Sequence, residues 1–502
     1  MSFRNPDDRI FEFPQQNTDF DAEVMYDERP KNRSGCSTGG CCGGGCCLGC
    51  FGFLLLIAFG CAAVYYSIFT GGAPLVVSPE TTIIVGPLKP DGTVDFHQAI
   101  QTMVEPDVQP DENGFMTVWR GYGREIYDSI DRATLRQPYL GMCDRFGIDP
   151  LAPPTWADEN AGLDAVQIAA AQPHYFIPAA RVNDTDLVIA SQPIAIYAFH
   201  EQLADSLRQR ASLRFDADDT TGAWNDMLTA SRLFRRVTVN QAWLKKLSSK
   251  ESESQLTPVD SIIKTLPKWT PQQLEQGVKD LESLPDWQDR KTMFTTIQFM
   301  MLDTLSVTND FSRLGERLHM DLPEDIYNML HILQYVGFDW NLVAKELNTK
   351  MQAYEALLQR VEGDSLEEQL KQLRLHPVGE AYRMPGEPDW EQEWQGFMEE
   401  HFRETGENPL RARGWSKTIG AMLGELGNMS AGEMVRLQLI EESRCQALRL
   451  ALTLEQFRRA ENRYPDSLAE LDVQPSMNLQ YEKQGNGYRI WNAVYDVSVD
   501  RN

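Results

Sequence analysis

The first pattern along the chain is a long apolar stretch without charge near the N-terminal end. No charged residue occurs from Ser34 to Pro79, and residues 48–69 read LGCFGFLLLIAFGCAAVYYSIF. As a helix, these 22 residues would extend about 33 Å, enough to cross the hydrocarbon core of a bilayer. The pattern predicts a single transmembrane helix over residues 46–69, so the lipid bilayer is a predicted partner. A cleaved signal peptide is the alternative, but such peptides have a shorter apolar core directly behind a basic segment.

Basic residues determine the expected orientation of this span. The segment before it carries five Lys or Arg residues, and the first basic residue after it is Lys89. Because Lys and Arg are retained on the cytoplasmic side, the N-terminus is predicted to be cytoplasmic. Everything after about residue 70 would then lie outside, in the periplasm-like space of the cell envelope. Residues 1–45 are polar and then rich in Gly and Cys, which predicts a disordered tail.

Beyond the span, helical spacing of apolar residues dominates and predicts a mainly α fold. Residues 70–95 are expected to form an extended linker with a turn at Pro90 to Gly92, and residues 96–440 a helical exterior domain. Thr270, followed by Pro271 and Gln273, has the pattern of a capping box that begins a helix. Two apolar stripes are expected to be buried, comprising Val118, Trp119, Tyr122, Ile126 and Ile130, and Ile196, Phe199, Leu203 and Leu207.

The C-terminal residues 441–502 follow a different pattern. A helix is predicted to lead to a turn at Tyr464-Pro465-Asp466 and a short helix that ends at Leu471. Two strand-like runs then flank Asn486-Gly487, a pair that favours a hairpin turn. We therefore predict a helix plus a small β-hairpin module, which closes the chain as an α/β unit.

Composition narrows the function classes. The chain has 502 residues and a formal net charge of −26. So acidic a protein is not expected to bind nucleic acid or an anionic lipid surface. The hydrophobic fraction of 42% allows a folded core and argues against wholesale disorder.

The cysteines are concentrated at the entrance to the predicted span. A dense thiol cluster could bind a soft metal, undergo redox chemistry or carry fatty acyl chains. The simpler interpretation is a low-complexity run of small residues that eases helix packing or membrane entry. Outside it, Cys143 and Cys445 could form a disulfide or remain as two buried free thiols. The cluster consists of Cys41, Cys42, Cys46, Cys47 and Cys50.

No catalytic, cofactor-binding or metal-binding residue is predicted beyond that cluster. The segment from Gly420 to Gly427 lacks the Lys-Ser/Thr pair of a phosphate-binding loop, and the histidines form no HExxH motif. Five tryptophans among the predicted helices could line an aromatic groove, although helical spacing favours a role as core anchors. The histidines are His97, His174, His200, His319, His331, His376 and His401, and the tryptophans are Trp224, Trp243, Trp269, Trp287 and Trp340.

Several short blocks carry a resemblance to a known group of proteins. They resemble an uncharacterised family of membrane-anchored, mostly helical proteins of planctomycete bacteria. The resemblance implies a largely helical exported body with no assigned reaction and no known cofactor. The last block also resembles the C-terminal parts of type II secretion pseudopilins, whose apolar helix instead lies at the very N-terminus. The blocks are GPLKPDGTVDF (86–96), VWRGYG (118–123), AWNDMLTASRLFRR (223–236), LTPVDSIIKTLPKWTPQQLEQGVKDLESLP (256–285) and RRAENRYPDSLAEL (458–471).

These observations lead to three functional hypotheses. The first is a single-pass envelope protein whose helical exterior domain binds a partner, such as another envelope protein, or acts as a scaffold. The second is an exported hydrolase whose site is assembled from residues distant in sequence, which requires a pocket where a histidine and carboxylates converge. The third is a secretion or pilus-assembly component, which requires residues 445–502 to superpose on a pseudopilin head.

Overall fold

The structure is a computed structural model that describes 14 segments of the chain. The chain divides into two units, Met1–Cys61 and Ala62–Asn502, and every described residue lies in the second unit. Among the described helices, none is long and apolar enough to cross a membrane. The predicted tail (1–45) and the predicted span (46–69) lie outside the described residues. The described segments are 75–104, 108–130, 133–153, 156–178, 194–237, 259–287, 289–306, 338–360, 396, 402–403, 406, 412–471, 479–492 and 497–501.

The described part of the chain is mainly helical, as the spacing of apolar residues predicted, and it ends in a three-stranded sheet. Short 3₁₀ helices occupy Pro110–Glu112, Leu266–Lys268 and Leu468–Glu470. The longer elements are α1 Phe96–Val104, α2 Gly114–Ser129, α3 Ala133–Arg145, α4 Glu159–Ala170, α5 Ile194–Asp216, α6 Thr220–Val237, α7 Val259–Thr265, α8 Pro271–Glu282, α9 Arg290–Ser306, α10 Trp340–Arg360, α11 Ala412–Glu461, β1 Gln480–Gln484, β2 Gly487–Asn492 and β3 Val497–Arg501.

Residues 75–95 differ from the extended linker that the sequence predicts. The Lys89 ammonium reaches the carboxylate of Asp303 on α9 at 3.3 Å, and both side chains are buried. The side-chain amide of Asn348 on α10 donates to the backbone carbonyl of Thr81 at 3.0 Å. Buried polar groups need such partners, so these contacts hold the segment against the helices as a series of turns. The predicted turn is present, with Gly92 at φ +82°.

A first core is built from α2 to α6, within residues 115–233. Both predicted stripes are buried there, which confirms the helical interpretation of these segments. Trp119 is fully enclosed, and its indole N–H donates to the hydroxyl of Tyr139 on α3 at 3.0 Å. Buried aromatic side chains of this size contribute much of the apolar surface that a helical core removes from water.

A second core joins α1, the C-terminal end of α5, helices α6 to α11 and the sheet. Along the seam between α10 and α11, three glycines of α11 allow the two backbones to approach closely. A Cβ on Gly424 would lie 2.7 Å from Cβ of Lys350, and one on Gly427 would lie 3.1 Å from the sulfur of Met351. At Gly420 a Cβ would overlap the backbone of α10. The segment from Gly420 to Gly427 is therefore a helix-packing surface.

One local prediction, the capping box, is confirmed, and a second, the hairpin, is confirmed except for the residues of its loop. The hydroxyl of Thr270 accepts from the backbone N–H of Gln273 at 3.2 Å, and the Gln273 side chain accepts from the backbone N–H of Thr270 at 2.7 Å. This reciprocal capping box begins α8. At the hairpin, Gln484 pairs with Gly487, so the loop residues are Gly485 and Asn486 rather than the Asn-Gly pair. Gly485 has φ +57°, which suits the first loop residue of a type II′ turn.

The C-terminal sheet packs against the end of the longest described helix. Its strands are antiparallel in the order β1-β2-β3. Tyr488 and Ile490 of β2 are fully buried, and the Tyr488 ring contacts Tyr464 with centroids 5.1 Å apart. α11 continues without a break past residue 440, so the expected boundary between the helical domain and the C-terminal module lies within a helix.

Candidate functional site

The structure places few of the candidate residues at sites that solvent or a ligand could reach. All five cysteines of the thiol cluster lie outside the described residues, as do His319, His331, His376 and His401. Among the residues that the structure describes, no group of three His, Cys, Asp or Glu side chains could hold a metal ion.

Of the described histidines, His200 is the most thoroughly enclosed. One ring nitrogen, Nδ1, lies 2.8 Å from the carbonyl oxygen of Ile196, and the other, Nε2, lies 2.7 Å from the hydroxyl of Tyr175. Since a carbonyl can only accept, Nδ1 carries the proton and Nε2 accepts from the tyrosine. Burial lowers the pKa of His200 to about 4. The ring also stacks on Phe115 with centroids 5.4 Å apart, so its role is to complete the first core.

The two cysteines beyond the predicted span are free and buried, which is the thiol alternative that the sequence left open. They belong to different cores, Cys143 to the first and Cys445 to the second. Burial raises the pKa of Cys143 to about 11 and the pKa of Cys445 well above its ordinary value. Neither thiol is therefore suited to act as a nucleophile, because the reactive form is the thiolate.

Most of the singled-out tryptophans are core anchors rather than the lining of a groove. Trp224, Trp269 and Trp340 are buried in the second core, and Trp287 is half-buried. Trp224 meets Trp269 edge to face with centroids 5.2 Å apart, a favourable arrangement for packed aromatic rings. Trp243 lies outside the part of the chain that the structure describes.

A concave site of about 490 Å³ opens on the first core, and we call it the Tyr122 pocket. Ligand sites in proteins have volumes of roughly 300–1,000 Å³. Helix α2 contributes one wall, the bend before α4 together with the start of α4 a second, and α5 the third. Its lining comprises Tyr122, Glu125, Trp156, Ala157, Asp158, Glu159, Leu163, Phe199, Gln202, Leu203 and Ser206.

Three aromatic rings form a continuous wall of the pocket. The Tyr122 ring lies between the other two, with its centroid 4.4 Å from that of Trp156 and 5.0 Å from that of Phe199. Trp156 can take this position only because Gly121 and Gly162 lack side chains: a Cβ on Gly121 would overlap the indole ring. The helices that carry these glycines are thus shaped to accept the indole.

Three carboxylates also line the Tyr122 pocket. Glu125 lies on α2, Asp158 is the N-cap residue of α4, and Glu159 is the first residue of α4. Asp158 also caps α4, since its side chain accepts from the N–H of Ala161 at 2.9 Å. Partial burial, followed by the neighbouring charges of Glu159 and Asp128, raises the pKa of Glu125. The described lining contains these three acids and no Lys, Arg or His.

The hydroxyl of Tyr122 is a buried polar atom of the aromatic wall that the described residues leave without a hydrogen-bond partner. Its side chain is only 6% exposed. A Cβ on Gly162 would lie 2.8 Å from Nε1 of Trp156 and would also meet this hydroxyl, so both polar groups border the same space. Burial, followed by the charges of Glu125 and Glu159, raises the pKa of Tyr122, which therefore keeps its proton. An unpaired buried hydroxyl costs about 1–3 kcal/mol.

Beneath the pocket, a buried charge network joins α4, α5 and α6. Asp226 has no solvent exposure and accepts from Arg210 at 2.6 Å and from Arg214 at 2.9 Å. Arg210 also contacts Asp164 on α4 at 2.8 Å. Arg210, whose charge also acts on Tyr122, is thus bound by two carboxylates. Charges paired in this way fix the relative positions of the helices that carry the pocket.

Sequence reasoning did not identify the Tyr122 pocket. Tyr122 and Phe199 were predicted as buried members of helical stripes, and Trp156 belonged to neither stripe. The signal that could have revealed the pocket is the pair Gly121 and Gly162, each of which lies within a helix. Interior helical glycines are unfavourable unless something packs against them.

Together, the fold and the site define a mainly helical body that carries an aromatic pocket with an acidic opening. The chain matches no protein-family model, no curated protein and no solved structure.

Proposed function

We propose that this chain is a membrane-anchored binding protein of the cell envelope, whose helical body holds a small molecule in the Tyr122 pocket. The observation that carries the proposal is the pocket itself: its volume of about 490 Å³, its aromatic wall and a few converging polar groups are features of a ligand site. The anchor is the apolar stretch over residues 46–69, and the body is proposed to lie on the exterior side.

The charge network beneath the pocket supports a binding role. A receptor binds tightly when its site is formed before the ligand arrives, because less ordering accompanies binding. The pairing of Arg210 with Asp226 and Asp164 ties α5 to α6 and α4. Two walls of the pocket are therefore held in place by contacts that do not involve the ligand.

No described contact favours the hydrolase or the secretion hypothesis. A hydrolase site needs a histidine within reach of carboxylates at a pocket, whereas His200 faces Tyr175 and Phe115 inside the first core. The pocket carries carboxylates without a histidine among its described lining residues. Binding without chemistry is therefore the function that the geometry supports best.

The binding proposal can be tested by blocking the pocket. Ser206 on α5 lines it, so Ser206→Trp places an indole in the space. Gln209→Trp, an exposed position on the same helix, is the matched control. Each full-length protein, in a non-ionic detergent, would be incubated with a small-molecule extract of the source cells and analysed by native mass spectrometry. We expect a bound compound on the wild type and on the control but not on Ser206→Trp. Equal binding by all three proteins, or no binding by the wild type, would refute the proposal.

The anchor requires a separate experiment. Deletion of residues 46–69 should move the protein from the carbonate-resistant membrane fraction to the soluble fraction, because the remaining chain has no comparable apolar run. A control deletion of residues 10–28 in the tail should leave the protein in the membrane. If the protein without residues 46–69 still sediments with carbonate-washed membranes, the proposed anchor is wrong.

A further inference from the structure

We propose that the Tyr122 pocket recognises a protonated amine, an organic cation that carries N–H donors on an apolar body. This inference rests on the proposed binding function and specifies the chemical class of the ligand. Three independent features of the pocket lead to it: the sign of its charge, the arrangement of its rings and the unpaired hydroxyl of Tyr122.

The charge of the lining selects against anions and favours cations. Glu125, Asp158 and Glu159 line the opening, and no basic residue occurs among the described lining residues. The charge of Glu159 acts on Glu125 and disfavours its ionised form. A cation placed between them would relieve this repulsion, whereas an anion would add to it. The charge of Arg210 also acts on Tyr122, but Asp226 and Asp164 bind this guanidinium and thus offset it.

The aromatic wall provides the second feature. The rings of Trp156, Tyr122 and Phe199 adjoin one another, and their planes are inclined by 51° and 53° to that of Tyr122. Inclined rings around one space form a concave surface that can present π faces to a bound group. Such faces attract ammonium groups, most strongly where water is partly excluded. The same rings would contact the hydrocarbon part of an amine.

The hydroxyl of Tyr122 distinguishes amines with N–H donors from fully alkylated ammonium groups. It is buried, without a partner among the described residues, and it retains its proton. The hydroxyl has almost no accessible surface without a ligand, so Trp156 or Tyr122 has to shift before it can accept one N–H of a primary or secondary ammonium, while the carboxylates accept the others. A trimethylammonium group has no hydrogen to donate and would leave the hydroxyl unpaired. A neutral sugar could also use the rings, but it would not relieve the repulsion between the acids.

The test uses four compounds that share a phenethyl-type skeleton. They are phenethylamine, its N,N,N-trimethyl derivative, neutral 2-phenylethanol and anionic 3-phenylpropionate. Binding to the full-length protein in non-ionic detergent is measured by calorimetry at pH 7, with Ser206→Trp as the blank for micelle partition. We expect phenethylamine to bind about tenfold or more tightly than 2-phenylethanol and 3-phenylpropionate to bind most weakly. Added salt should reduce the affinity for the amine.

Two sets of variants separate the features. The double change Glu125→Gln and Glu159→Gln should lower the affinity for phenethylamine to that for 2-phenylethanol. Glu275→Gln with Glu282→Gln removes the same charge from α8 and should leave the affinity unchanged. Tyr122→Phe should weaken phenethylamine binding about fivefold, the effect of one hydrogen bond, and leave the trimethyl derivative unaffected.

The outcomes distinguish the ligand class from the binding function. If 2-phenylethanol binds the wild type as tightly as phenethylamine, and Ser206→Trp binds neither, the pocket is a binding site but the amine inference is wrong. Tighter binding of 3-phenylpropionate would overturn the inference in the same way. If none of the four compounds binds, the amine inference fails, and the extract experiment alone decides the binding function.

Discussion

The buried imidazole of His200 should make the stability of the first core depend on pH between about 4 and 6.5. Its pKa is about 4 in the folded chain, against an ordinary value of about 6.5. As the pH falls below 6.5 the unfolded chain binds a proton there and the folded chain does not. Stability is therefore lost as the pH falls, and the loss is complete near pH 4.

The magnitude follows from the two pKa values. Between pH 7 and pH 5 the folded state should lose about 2 kcal/mol through this residue, and about 3 kcal/mol by pH 4. The Ile196 carbonyl, which favours the protonated ring, compensates only part of the effect of burial, and the ring otherwise faces the Tyr175 hydroxyl and the Phe115 ring.

Urea unfolding of the full-length protein, followed by tryptophan fluorescence at pH 7, 6 and 5, measures this effect. His200→Gln keeps an acceptor for Tyr175 but cannot titrate, so the wild type should lose about 2 kcal/mol more than this variant between pH 7 and pH 5. Other titrating groups contribute to both proteins and cancel in the difference. His174→Gln, the same change at a half-exposed histidine, is the control for the substitution itself. A wild-type slope in His200→Gln would refute the assignment of a neutral, structural imidazole.

Three further predictions concern the charge network, the thiols and the pocket. Asp226→Asn should lower the free energy of unfolding by about 3–5 kcal/mol in urea titrations, because it removes the charge that two arginines bind without solvent. The control is Asp111→Asn, because the Asp111 carboxylate is 82% exposed in its ion pair, and this change should alter the free energy of unfolding by less than about 1 kcal/mol. Equal losses of stability in Asp226→Asn and Asp111→Asn would contradict the role of burial. Cys143 and Cys445 should be alkylated only in denaturant, which peptide mass spectrometry can determine. Alkylation of either thiol in the native protein would show that it is not buried. Tyr122→Phe should leave the free energy of unfolding unchanged or raise it by about 1 kcal/mol in the absence of ligand, and a clear loss would mean that the hydroxyl has a structural partner.

The helices were predictable because their signals are local. The stripe through Trp119 and Ile126 repeats with the period of a helix, and the capping box at Thr270 lies within four consecutive residues. The hairpin was located correctly, yet its loop was shifted by one residue, since Gly485, Asn486 and Gly487 offer two alternative turn pairs. Only the backbone shows which glycine has the positive φ.

The Tyr122 pocket was not predictable by the same reasoning. Its rings come from α2, from the bend before α4 and from α5, and no local period relates Trp156 to Phe199. The structure also shows why residues 75–95 were misjudged: the turns are held by Asp303 and Asn348, more than 200 positions further along the chain. Contacts at such separations leave no pattern in the segment itself.

The division of the apolar residues between two cores has a consequence for the order in which parts of the chain fold during synthesis. Every residue of the first core precedes residue 237, so α2 to α6 can pack together while the remainder is still being translated. The second core draws residues from Val94 to Ile490 and depends on α11, which is completed only near residue 461. Until then α7 to α10 present apolar faces without their partner. We therefore expect a nascent chain to pass through a stage in which the pocket-bearing part is folded and the rest is exposed to chaperones and proteases.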